Sequence, residues 1–191
     1  MRGRTVSDPD ELPVLAEATR YLFGSLLLVR GADLSAPTPC PDWDLRRLLF
    51  HVRTSLADAA AVLAARAPDP APVPSDPVAA ARSGIVDFLI ASTALPTTGR
   101  WCEIRGRTLP AKTVVLVGAI EMTLHAWDIG QACRNDRPIP PEIASTLLWL
   151  SPPLARAGLA GQVFAEPLPV PATATPSDRL LALFGRRRPP G

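Results

Sequence analysis

Residues 111–134 are apolar on nearly every side of the helix they would form, and a helix without a polar face has to lie inside the molecule. Within that stretch stand Glu121, His125 and Asp128, whose three- and four-residue spacing puts them on one helix face. An ionised glutamate in such a place is costly unless it is paired, hydrogen-bonded or bound to a metal. The chain has only two histidines, and the other, His51, falls at the edge of a leucine stripe in an earlier helix. A carboxylate and an imidazole from one helix, joined by an imidazole from a second, make a three-ligand divalent-metal site with open positions for water or substrate. The same residues also allow a plainer arrangement, in which Glu121 pairs with an arginine and His125 makes one core hydrogen bond.

Around that long helix the periodicity predicts other helices, bounded by prolines and glycines. The first is expected over residues 11–30, with Leu12, Leu15, Leu22, Phe23, Leu26 and Leu27 at helical spacing and Gly31 as its stop. Asp44 is the expected N-cap of the second, whose stripe is Leu45, Leu48, Leu49, Val52, Leu56 and Leu63. Beside the stripe, Arg47, His51, Ser55 and Asp58 form a polar strip. Residues 68–77 carry proline at five positions and read as an exposed linker. A third helix is expected over residues 78–94 with Ile85, Phe88 and Leu89 inward, a fifth over Pro141–Leu150, and a short closing helix over residues 177–184 after an extended stretch at 164–171. Residues 101–110, with Gly106 among charged neighbours, read as a short hairpin or a loop. No region is rich in strands, so the fold class is all-α, a helical bundle in one domain over residues 1–191.

Composition narrows the partners. Apolar residues make up 47% and charged residues 20%, which fits a globular chain rather than a disordered one. The only dense basic run is Arg186-Arg187-Arg188 beside Pro189-Pro190-Gly191, and residues 186–191 read as a flexible tail rather than a nucleic-acid patch. No nucleic-acid partner is expected. No apolar run is long enough to span a bilayer, and the N-terminus has no apolar stretch behind its charges, so no membrane partner and a cytoplasmic location are expected. Cys40, Cys102 and Cys133 are odd in number and unpaired in motif, which argues against a disulfide framework.

The segment Pro37-Thr38-Pro39-Cys40-Pro41-Asp42-Trp43 leading into the His51 helix, followed by Glu121-x3-His125-Ala126-Trp127-Asp128, resembles the DinB-like superfamily. The likeness is closer to its branch of mycothiol-dependent maleylpyruvate isomerase N-terminal domains, in the form of a short stand-alone actinobacterial member. The ending 164–171 followed by Asp178-Arg179-Leu180-Leu181-Ala182-Leu183-Phe184-Gly185-Arg186 resembles the tail of such members. The resemblance implies an up-down-down-up four-helix bundle with short extra C-terminal elements. It also implies a divalent metal held by His51, Glu121 and His125, zinc foremost, with nickel, manganese or iron as alternatives. An open metal position would bind a low-molecular-weight thiol such as mycothiol. The isomerase itself has a second domain that contributes to its active site, and the present chain is expected to lack it.

Three functions are compatible with that set. The first is a metal-dependent thiol transferase or isomerase acting on a small-molecule substrate with a thiol cosubstrate, as a monomer or homodimer. The second is an isomerase, lyase or cyclase of specialised metabolism that uses the same cavity without a thiol. The third is a non-catalytic metal or small-molecule binding protein. Arg47, one turn before His51, is placed to attract an anionic substrate or a thiol's carboxylate, or else is a solvated residue paired with Asp44 or Asp128. Asp128 either orients a ligand or accepts a salt bridge from an arginine such as Arg46 or Arg53. Trp43 and Trp127 either pack the core or wall a pocket. Ser55 lies on the strip that faces the open side of the site.

Overall fold

The computed structural model describes residues 11–67, 75–95, 99–104, 106–151 and 165–188. The expectations for residues 68–74, for Phe164 and for residues 189–191 lie outside these, as does the side chain of Leu12. Among the described residues the chain is mainly helical, with α1 (Glu11–Leu26), α2 (Leu45–Leu63), α3 (Pro77–Thr93), α4 (Ala111–Ala132), α5 (Pro141–Leu150) and α6 (Pro176–Leu183). A short 3-10 turn, Gly31–Ser35, follows α1. One antiparallel hairpin, β1 (Trp101–Ile104) with β2 (Arg107–Pro110), precedes α4.

The fold class stays mainly helical, and of the hairpin or loop expected over residues 101–110 the chain forms the hairpin. Its register pairs Trp101 with Pro110 and Ile104 with Arg107, and Gly106 takes a φ of 75° at the turn, a conformation that costs glycine little. The run leads directly into α4: the Ala111 amide donates to the Arg100 carbonyl and Cys102 is buried.

Helix α1 is shorter than its periodicity predicts. Past Leu26 the chain tightens, the Leu28 amide turning back to the Ser25 carbonyl, and Leu27, expected inside, is 75% exposed. The Arg137 guanidinium accounts for this ending. It lies over the Tyr21 ring and donates to the Tyr21 carbonyl and the Ser25 hydroxyl, occupying the last turn of α1. Gly24 leaves room for it, since a β-carbon there would fall 2.4 Å from Arg137 Nη1. Helix α3 starts at Pro77, which is buried in the first turn and not part of an exposed linker; Asp76 caps it by accepting from the Val78 and Ala79 amides.

The core follows the predicted stripes. Leu45, Leu48, Leu49, Val52, Leu56 and Leu63 of α2 are buried, as are Ile85 and Phe88 of α3 and almost all of α4 from Val114 to Gly130. Helix α1 packs on α4, α2 packs on both α3 and α4, and α6 packs on α5. Close approach of α2 and α3 depends on Gly84, where a β-carbon would stand 2.8 Å from the Arg53 carbonyl oxygen. Gly84→Ala is therefore expected to lower stability by about 1–3 kcal/mol through overpacking against backbone. The same change at an exposed helix position raises stability by up to about 1 kcal/mol, so the sign of the shift in a denaturant titration tests the contact.

Three helix ends share one closure. After α2, α4 and α6 the chain enters the left-handed region at Ala65, Arg134 and Gly185. Paired bonds return to the last turn each time, as in Arg186 N–H to the Leu181 carbonyl and Gly185 N–H to the Ala182 carbonyl. At α6 this reversal turns the residue after Gly185 back toward α4.

Candidate metal centre

Two helices and a loop build the centre. The loop before α2 is tied by Thr38, whose amide and hydroxyl both donate to the Trp43 carbonyl, and by the Asp44 carboxylate, which caps α2 through the Arg47 amide. This fixes Cys40 and Trp43 beside the first turns of α2 and orients His51 one turn and a half further along. The Trp43 ring lies 4.8 Å from the His51 ring, and the Arg47 guanidinium stands 5.3 Å from the Trp43 ring centre on an exposed stretch of helix.

Across from α2, α4 presents Glu121 and His125. His51 Nε2 and His125 Nε2 each lie 3.2 Å from the same carboxylate oxygen, Glu121 Oε2. The three ligand atoms all fall within 4.8 Å of one another. Nitrogen and oxygen ligands bound at about 2.0–2.2 Å around one tetrahedral zinc ion lie a little over 3 Å apart. The donor set and its spacing therefore fit a divalent cation. His51 keeps 34% of its side chain exposed whereas Glu121 and His125 are nearly dry, so the centre opens on the α2 side.

The electrostatics follow from that burial. Desolvation alone would push the Glu121 carboxyl up, but its contacts with His125 and His51 outweigh it and hold the group well below the usual carboxylate range. For His125, burial works toward the neutral ring; Asp128, Cys40 and Glu121 oppose it and raise the imidazole well above its ordinary value.

His125 is held from behind by Asp128, whose Oδ2 lies 2.9 Å from Nδ1. The partner of Asp128 is neither Arg46 nor Arg53. It is Arg186, whose Nη2 and Nε donate to Oδ2 and Oδ1 at 2.9 and 3.0 Å. Arg186 is thus packed against the centre rather than part of a flexible tail; the next-but-one residue, Arg188, also lies 3.8 Å from both Asp136 and Asp178. Cys40 Sγ donates to Asp128 Oδ2 at 3.4 Å. Cys40, His125 and Asp128 form a second convergent group, but the Arg186 guanidinium sits 3.5 Å from Cys40 Sγ and opposes a cation there.

The remaining expected residues separate. Ser55 lines, with Val52, Leu56, Glu121, Met122 and His125, a tight crevice beside the centre. Trp127 is buried in the core and does not line that crevice. Arg47 donates its backbone amide to Asp44, and its guanidinium packs on Trp43 rather than on Asp44 or Asp128. Cys40 and Arg186 were not expected at the site. Gly185, a helix-ending glycine followed at once by arginine, is the one sequence signal that pointed to Arg186. No helix among the described residues is long and apolar enough to cross a membrane.

A family model described as the mycothiol maleylpyruvate isomerase N-terminal domain matches residues 15–130. Two curated proteins of Mycobacterium tuberculosis, the uncharacterized protein MT0763 of strain CDC 1551 and the uncharacterized protein Rv0738 of strain H37Rv, are each 26% identical over 181 residues, covering 91% of this chain and 97% of their own. No solved structure matches.

Proposed function

Because the chain belongs to the mycothiol maleylpyruvate isomerase N-terminal domain family, we propose that it is a divalent-metal enzyme that activates a low-molecular-weight thiol of the mycothiol type for S-transfer or isomerisation. His51, Glu121 and His125 are the ligands in this reading, with zinc the first candidate. The observation that carries it is the pair of imidazole nitrogens from two helices meeting one carboxylate oxygen, each at 3.2 Å. The packing of α1 on α4 and of α2 on α3 and α4 agrees with the family's up-down-down-up bundle.

A bound divalent ion would supply Lewis acidity, lowering the pKa of a coordinated thiol so that it is present as thiolate at neutral pH. The chain's own residues do the rest. Glu121 brings the negative charge, and its near-complete burial together with that of His125 keeps water away from their contact. Asp128 accepts from His125 Nδ1, which leaves Nε2 directed at the centre. Val52, Leu56 and Met122 back the ligands with buried apolar side chains, and the Ser55 hydroxyl is the polar group of α2 beside Glu121 and His125. Arg47, at the mouth and braced on Trp43, is placed to meet the carboxylate of a substrate or thiol.

Elemental analysis of wild type, His51→Ala and Glu121→Gln, followed by a thiol-conjugation assay with small electrophiles, tests the proposal. Metal near one equivalent in wild type and little in either variant is the expected result, with thiol consumption only in wild type. Arg47→Ala should retain metal and lose turnover at low substrate by about tenfold, the size of one charge-assisted contact. Equal metal content in all proteins would end the metal reading. Metal without thiol consumption would transfer the site to thiol-free chemistry or to binding.

A further inference from the structure

We propose that Arg186 is a positioning residue of this centre: by gripping the Asp128 carboxylate it holds His125 with Nε2 turned to Glu121. The inference rests on the metal-centre reading above and extends it to a residue outside residues 15–130, where the family model matches.

Asp128 is 0% exposed, and three neighbouring side chains satisfy it. Its Oδ2 receives His125 Nδ1, Arg186 Nη2 and Cys40 Sγ, while Oδ1 receives Arg186 Nε. Two guanidinium nitrogens on two carboxylate oxygens fix the carboxylate plane as well as its place, which a single ammonium contact would not do. The guanidinium is itself held, since Nη1 donates to the Phe184 carbonyl at 3.0 Å. Every link from the backbone at Phe184 to the His125 ring is therefore a directed hydrogen bond.

The chain reaches this position through folded structure. Gly185 takes a φ of 75° and closes α6, the Arg186 amide bonds back to the Leu181 carbonyl, and Phe184 is fully buried as the anchor. On the other side, the Leu168 amide donates to the Ala182 carbonyl and ties the extended segment before α6 to its end. Without Arg186, Asp128 would keep His125 Nδ1 and Cys40 Sγ, both on Oδ2, so its carboxylate plane would no longer be fixed and the His125 ring would be oriented less firmly. Outer partners of metal-bound histidines typically carry about 10–100-fold in affinity.

The test compares wild type with Arg186→Gln, Arg186→Lys, the neighbouring control Arg188→Gln and the packing control Gly84→Ala. Zn2+ and Co2+ affinities are measured by competition with a chromophoric chelator, and the Co2+ absorption spectrum reports ligand geometry. Ring-15N labelling of the two histidines gives a third readout, the protection of the His125 Nδ1 proton from exchange in metal-free protein. Arg186→Gln is expected to bind about 10–100-fold more weakly, with an altered Co2+ spectrum and an unprotected Nδ1 proton; Arg186→Lys should fall between it and wild type. Both controls should bind as wild type does. Unchanged affinity and an unchanged Nδ1 proton in Arg186→Gln would overturn the inference, and so would an equal loss in Gly84→Ala, which would reduce the effect to stability. Wild type that binds neither metal would refute the metal reading instead, and the Nδ1 proton alone would then decide the role of Arg186.

Discussion

Chelator-treated protein is expected to unfold roughly 8–16 °C below the metal-loaded form. A ligand held at a thousand times its dissociation constant adds about 4 kcal/mol to the folded state, and each kcal/mol moves the midpoint of a chain this size by about 2–4 °C. The effect is large because the ligands come from α2 and α4, so a bound ion joins two helices. Removing it also leaves Glu121 in a dry site facing the two imidazoles. Adding back Zn2+ should restore the midpoint, and His125→Ala should show neither the loss nor the recovery. A scanning calorimetry trace that is the same before and after verified metal removal would mean that the three side chains serve packing alone.

Asp128→Ala is expected to cost about 3–5 kcal/mol, the usual effect of removing one partner of a buried ion pair. The loss arises because Arg186 keeps its charge in a nearly closed position and, among the described residues, has the Phe184 carbonyl and the Cys40 sulfur left as acceptors. Replacing both partners, as Asp128→Ala with Arg186→Met, removes the stranded charge along with the attraction. The double variant should therefore be more stable than the sum of the two single losses predicts, by one to a few kcal/mol on the scale of about 0.5–3 kcal/mol found for contacting pairs. Urea titrations of the four proteins measure this coupling directly. Additive losses would show that the pair contributes nothing beyond its separate contacts, and that the His125 support must come from elsewhere.

The two variants probe different distances along the chain, and that difference governs what could be read from the sequence. Glu121, His125 and Asp128 were legible together because helical geometry alone places residues three and four apart on one face. The leucine stripe and the Asp44 cap of α2 were legible for the same reason, as was the burial of α4. That His51 faces this set was expected from its position at the edge of the α2 stripe and from the family likeness, but only the packing of α2 on α4 brings its nitrogen to Glu121 Oε2.

Where local patterns misled, a distant group had intervened. Leu27 fits the α1 stripe but is exposed, because the helix ends at Leu26, beyond the last turn on which Arg137 packs. Pro77 looks like linker by composition and becomes the buried first turn of α3 under the Asp76 cap. Arg186 sits in a run of arginines beside prolines, a composition typical of solvated tails, yet it supplies the counter-charge to a carboxylate 58 residues away. By itself the sequence determined that these segments are helical, the leucine stripe that α2 turns inward and the donor atoms available on α4, since those follow from backbone periodicity and the cost of burying charge. Which arginine answers Asp128, and that a second imidazole meets Glu121, only the tertiary structure decided, because partners far apart in sequence are selected by how helices cross and where a helix end turns the chain back.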